Sequence, residues 1–272
     1  MPSKTGKTYS SFYPNDLAVN QSSGVGIDST TRVIHDGLGQ STAISLSDDV
    51  LQVKPVNDNS VSTMTCQSAS GNNILSVDTT NSKVLVGASQ VAANTNYAYF
   101  GCDNGASAAF AADVHYGIPF VNSNSAAVLT NTSMGSSTSS SFNDTNPATT
   151  LTITTSAEYR IQAFWYVMDD ITIDAVKWWH AADTATGDDT AAHLMSYTID
   201  SANGSASGDL SSGVVVADGA TITNAGNEQI YYQAMTVQSA DVDAGKVILF
   251  TFTSDTINSD YSINATVKYH IR

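Results

Sequence analysis

The sequence predicts an all-β protein with an N-terminal extended arm, a region of short strands, and a C-terminal antiparallel β-sandwich head of jelly-roll type. Three observations predict it. Of 272 residues, 42% are apolar and only 13% charged, so the polar surface comes mainly from Ser, Thr, Asn and Asp. The acid is almost all aspartate, Glu158 and Glu228 being the two glutamates, and aspartate belongs to turns and caps where glutamate builds helices. From Thr149 onward no proline interrupts a series of apolar alternations with period two, the pattern of strands with one buried face and one wet face.

Residues 1 to 40 carry Gly, Ser, Asn and Thr with scattered apolar positions such as Phe12, Leu17, Val25 and Val33. A segment of that kind buries little of itself and reads as an arm ordered on another surface. Lys4, Lys7 and Arg32 offset Asp16, Asp28 and Asp36 there, so the arm lacks the acid excess of the rest.

From residue 41 to 90 short apolar groups alternate with turn clusters: Ile44/Leu46, Asp48-Asp49, Leu51/Val53, Asn57-Asp58-Asn59, and onward to Val84–Val86. Each short strand carries two or three apolar residues, too few to offset about 1–2 kcal/mol of backbone ordering per residue. Such strands need partners. Either they pack as a meander on the rest of the chain, or three copies wind together and bury each other's apolar faces. Residues 91 to 148 are rich in small residues and read as a connecting region, with Asn131 to Thr150 a linker or long loop.

The head, 149–272, offers about eight strands: Thr150–Thr154, Arg160–Met168, Ile171–Trp178, His193–Ile199, Gly213–Ala217, Gln229–Val237, Lys246–Thr253 and Tyr261–Ile271. In the last, Tyr261, Ile263, Ala265, Val267, Tyr269 and Ile271 alternate strictly with polar residues. Eight antiparallel strands in this length suggest two packed sheets.

Charge excludes some functions. Ten basic against twenty-five acidic residues give a net charge of −15, which leaves no cationic surface for nucleic acid. The start has no apolar signal core and no window reaches the ~18 apolar residues of a membrane span, so no membrane insertion is expected. Cys66 and Cys102 are expected as free thiols.

Two stretches resemble a known class of protein. Thr30-Thr-Arg-Val-Ile-His-Asp-Gly-Leu-Gly-Gln-Ser-Thr-Ala-Ile-Ser-Leu-Ser47 with Val50-Leu-Gln-Val-Lys-Pro55 resembles the virion-proximal part of bacteriophage fibre proteins. Ser70-Gly-Asn-Asn-Ile-Leu-Ser-Val-Asp-Thr-Thr-Asn-Ser-Lys-Val-Leu-Val-Gly87 is similar to the short β-repeat of trimeric phage fibres and spikes. The resemblance covers about a quarter of the chain. It implies a homotrimeric virion appendage: the arm docked on other virion proteins, residues 41–90 a trimeric stalk, and the head meeting a host-surface glycan or receptor. A capsid-decorating head fibre and a glycan-degrading tailspike are the alternatives.

Chemistry-bearing clusters are few. His180, Asp183, Asp188, Asp189 and His193 lie within fourteen residues but match no zinc spacing. Asp169-Asp170, Asp188-Asp189 and Asp241-Val-Asp243 lack the order of a calcium loop. No nucleophile elbow, phosphate loop or zinc-protease signature occurs, so neither catalytic residues nor metal nor cofactor are expected. The adjacent aromatics Trp165-Tyr166, Trp178-Trp179 and Tyr231-Tyr232 are different. Neighbours on a strand point to opposite faces, so one of each pair is expected outside the sandwich. Trp179 and Tyr232 are the candidate ligand-binding platform, either for stacking a sugar or for a contact between copies.

Overall fold

The computed structural model describes residues 17–19, 27–89, 91–103, 110–120, 133–136, 147–153, 157–200, 209–256 and 261–272. Most of the expected arm, the alanine run before Phe110 and most of the expected 131–150 loop lie outside them. The chain is all-β and divides into two units, Met1–Asn94 and Thr95–Arg272.

The N-terminal unit consists of two four-stranded antiparallel meanders. The first runs through β1 (Ala18–Val19), β2 (Arg32–His35), β3 (Ser41–Leu46) and β4 (Leu51–Val53), and the second through β5 (Met64–Gln67), β6 (Asn73–Asp78), β7 (Lys83–Val86) and β8 (Val91–Ala92). The expected boundary between arm and strands near residue 40 falls inside a hairpin. Asp36 makes the turn: its side chain accepts hydrogen bonds from the Leu38 and Gln40 amides, and Gly39 takes the left-handed conformation (φ 81°) that the turn requires. The second meander turns in the same way at Asp78, whose carboxylate accepts from the Asn81 amide and side chain.

Among the described residues of this unit no hydrophobic side chain is fully buried, and the buried positions are Ser45, Ser76 and Asp78. Leu51, Val61, Ile74 and Val84 are exposed. Hydrogen-bonded turns and ladders thus set its local form without an apolar core inside one chain.

The head carries its core between two sheets. One has the order β9 (Thr95–Asp103), β20 (Ser262–Ile271), β13 (Ile171–Ala182), β17 (Gln229–Val237). The other is β10 (Val114–Ile118), β19 (Lys246–Ser254), β14 (Asp189–Ile199), β15 (Leu210–Asp218). Counted along the chain these eight strands read 1-8-3-6 and 2-7-4-5, all antiparallel, which is the double Greek key of a jelly roll. The sheets meet at both edges, through Ala217 opposite Val237 and through a bridge between Phe100 and Phe120. Four short strands extend them: β11 (Ser133–Ser136) on β10, β12 (Trp165–Tyr166) on β19, β16 (Ile222–Thr223) on β14 and β18 (Asp241–Val242) on β13.

Parity decides what lies inside. Phe100, Val176, Trp178, Ile263, Ala265 and Val267 from the first sheet meet Tyr116, Ile118, Leu194, Phe250 and Phe252 from the second. Phe252 packs on Tyr261 with ring centroids 5.0 Å apart, and Trp178 lies edge-on to Phe252 at 6.1 Å. The outer face of the second sheet is covered too. Met195, Tyr197, Val247 and Leu249 form another apolar cluster with Leu151, Ala163 and Leu210. The segment 147–153 is tied down there by reciprocal Leu151–Leu210 backbone hydrogen bonds and by the Tyr197 hydroxyl, which donates to the Ala148 carbonyl at 2.8 Å.

Three boundaries differ from the sequence reading. Thr150–Thr154 makes only a single bridge, because its apolar residues serve as a lid on the second sheet. Arg160–Met168 is a helical turn (Ala157–Arg160), a 3₁₀ turn (Ile161–Ala163) and the short β12, since Ala163 and Phe164 pack into the same lid. The two strands that complete the eight are β9 and β10, so the head begins at Thr95 and the expected connecting region supplies part of it. Gly and Ala at positions 98, 101 and 117 dilute the strand signal there.

The lid requires close approach at Gly213, where an added Cβ would lie 2.4 Å from Tyr197 Cε1 and 2.9 Å from Thr149 Cα. Gly213→Ala is therefore expected to destabilise the head by about 1–3 kcal/mol, measured by denaturant unfolding; an unchanged midpoint would show that the lid does not press on this strand.

Candidate functional site

The outer face of the β9–β20–β13–β17 sheet is the one large sheet surface of the head left bare by the described residues. Its rungs follow from the register. Tyr97 stands opposite Lys268 and Lys268 opposite Ala175; the next outward rung is Tyr99, Thr266, Lys177 and Ala234; the next is Gly101, Asn264, Trp179 and Tyr232; and the last is Asp103, Ser262, Ala181 and Ile230. Strict alternation puts Ala98, Phe100, Val176 and Trp178 in the core and their neighbours outside.

The three adjacent aromatic pairs divide as parity requires. Trp165 is buried and Tyr166 exposed; Trp178 is buried and Trp179 exposed; Tyr231 is half-buried and Tyr232 exposed. Trp179 and Tyr232 are brought together, directly opposite each other on β13 and β17. The sequence reading missed the other edge. Tyr97 and Tyr99 project from β9, and the alternation Tyr97-Ala98-Tyr99-Phe100 was the signal that could have found them.

Between the edges lies an open groove of about 340 Å³ lined by Tyr97, Ala175, Lys177, Trp179, Thr266 and Lys268. Among the described residues neither lysine forms an ion pair. The one acidic residue beside these strands' centre, Asp174, occupies a bulge in β13 between Ile173 and Ala175 and accepts from His270 Nδ1 at 3.0 Å. In a chain of net charge −15, this face therefore presents aromatic rings and two unpaired ammonium groups.

The histidine and aspartate cluster is not one site. His180 points into the sandwich, between Trp178 and Tyr231 with centroids 5.0 and 5.4 Å away. Its Nε2–H donates to Asn224 Oδ1 at 2.9 Å, Asn224 Nδ2 donates to the Tyr261 hydroxyl, and that hydroxyl donates to Asp188 Oδ2 at 2.7 Å. His193 belongs to the other side of the second sheet, 5.2 Å from the His115 ring, with Nδ1 2.8 Å from Asp218 Oδ1. The described residues contain no group of three or more His, Cys, Asp or Glu placed to hold a metal ion. The paired aspartates singled out in the sequence hold neighbouring segments: Asp170 accepts from the Ala244 amide, Asp189 from Thr223, Asp241 from Thr172 and Asp243 from Arg272. Both cysteines are free, Cys66 exposed on β5 and Cys102 in the core, where burial pushes its thiol up to about 12.

Comparison with protein-family models finds no match, and no curated protein matches the chain.

Burial holds His180 below its ordinary value against the pull of Asn224, and holds His193 below it against the opposing Asp218 carboxylate. The unfolded chain thus binds protons near pH 6.5 that the folded head excludes, and stability present above that pH is lost as pH falls through it. The head's unfolding free energy is expected to fall between pH 7.5 and 5.5, by up to about 1.4 kcal/mol per pH unit for each ring, and its melting temperature with it, with a shallower slope in His180→Gln. A melting temperature flat over that range would contradict the assignment.

Proposed function

We propose that the chain is a non-enzymatic structural and binding protein of the virion-appendage type, a homotrimeric fibre or spike that docks through its N-terminal arm and presents the jelly-roll head to a host surface. The observation that carries this reading is the N-terminal unit without an apolar core. All eight of its strands have six residues or fewer and hydrogen-bond within one chain, yet among the described residues none of their hydrophobic side chains is fully buried.

A single copy of such meanders is only marginally stable, because ladders without a buried face do not offset the entropy of ordering them. Winding several copies together buries Leu51, Val53, Ile74, Val84 and Val86 against their counterparts and turns surface into core. The similarity of residues 30–55 and 70–87 to phage fibre segments supports a trimer on a virion as the setting. The acidic, uncharged-turn-rich surface suits assembly with other proteins rather than with nucleic acid.

Native mass spectrometry of the intact chain at micromolar concentration tests the reading. A species of three times the 28.5 kDa chain mass is expected; a clean monomer sinks both the stalk and the fibre.

A further inference from the structure

We propose that the outer face of the β9–β20–β13–β17 sheet is the surface through which one head packs on a second copy of this chain. The proposal rests on the oligomeric reading above and assigns it a second contact, in the head. Five large side chains crowd that face: Tyr97, Tyr99, Trp179, Ile230 and Tyr232 are 54, 52, 37, 75 and 78% exposed. At about 200 Å² per large side chain they leave roughly 600 Å² of mostly aromatic surface in water. That is the upper end of what a monomer carries. Divided between two neighbouring copies, it gives each contact less than the ~800 Å² per partner of a standard interface, so it adds to the contact of the N-terminal unit rather than replacing it.

Three features favour a copy of this chain as the occupant. Among the described residues, 147–153 and 161–164 cover the outer face of the second sheet and none covers this one. The N-terminal unit has the same deficit, and one association between copies satisfies both, whereas a foreign ligand on the head would leave the strands of residues 41–92 uncovered. Charge agrees as well. Copies of net charge −15 repel one another everywhere except where acid is sparse, and here the middle of the face carries Lys177 and Lys268 without ion pairs among the described residues.

The arrangement of the apolar groups points to a ring. Tyr97 and Tyr99 lie on the β9 edge, while Trp179, Ile230 and Tyr232 lie toward the β17 edge. Two different clusters on opposite edges suit a heterologous contact, in which the β9 edge of one copy meets the β17 edge of the next and the series closes. Trp and Tyr at the centre of such a contact are the usual dominant residues.

Hydroxyl-radical footprinting of the full-length chain in its assembled state tests this without any substitution. Tyr97, Tyr99, Trp179 and Tyr232 are expected to react at least about fivefold more slowly than Tyr166, which is exposed to a similar degree on β12, away from the face. In parallel, the full-length Trp179→Ser/Tyr232→Ser variant is expected to lose the intact trimer at concentrations where the parent keeps it, with the head's unfolding cooperativity retained. A trimer whose four face aromatics react as fast as Tyr166 overturns this interface while leaving the stalk reading standing. A monomeric parent overturns both. A variant that stays trimeric but no longer adsorbs to host polysaccharide overturns the interface in favour of a glycan platform.

Discussion

Every hydrophobic side chain buried among the described residues lies between Ala98 and Val267, and this one-sided distribution of apolar burial governs the rest of the molecule. The sandwich of β9, β20, β13 and β17 against β10, β19, β14 and β15 encloses large rings such as Trp178, Phe250 and Tyr261. At about 1.5–3 kcal/mol for each large side chain removed from water, that interior is ample for an independent domain. The described residues before it bury no hydrophobic side chain fully within one chain. Their order rests on turns closed by Asp36 and Asp78 and on short ladders, which fix direction and register but contribute little net stability.

The same distribution separates the two outer faces of the head. On β14 and β19 both faces are apolar, and residues 147–153 and 161–164 cover the second one. On the other sheet the outward set includes Tyr97 and Tyr99 of β9, Lys177 and Trp179 of β13, Lys268 of β20 and Tyr232 of β17, beside the ordinary Ser262, Asn264 and Thr266 of β20. Burying those rings is then a matter for another molecule. One line of buried polar groups is paired: His180, Asn224, Tyr261 and Asp188 hand hydrogen bonds toward a carboxylate, and burial holds the His180 imidazole below its ordinary value.

Much of this was legible in the residues. The period-two pattern from Ile171 onward located six of the eight head strands, and adjacency alone divided Trp178 from Trp179 and Tyr231 from Tyr232. That Trp179 and Tyr232 stand opposite each other follows from the β13–β17 register, which no local pattern reveals, because pairing of strands fifty residues apart is settled by the whole sandwich. β9 and β10 escaped notice because Ala98, Gly101 and Gly117 lower the strand propensity of their segments. The strands expected over 150–154 and 160–168 failed for the opposite reason: Leu151, Ile153, Ala163 and Phe164 are core residues, but of a lid, and period alone does not distinguish a lid from a ladder. The cluster from His180 to His193 looked compact along the chain and is split by a sheet, since the β13–β14 connection crosses from one sheet of the sandwich to the other.

The central claim is that the N-terminal unit is ordered by assembly and the head by its own core. Hydrogen exchange on the full-length chain, followed as dilution shifts it from assembled to single-chain species, tests this most directly. Backbone amides in β9, β13, β14, β19 and β20 are expected to stay protected at every concentration, while those of β3–β7 lose protection as the assembly dissociates. Equal and undiminished protection of β3–β7 in the isolated single chain would contradict it.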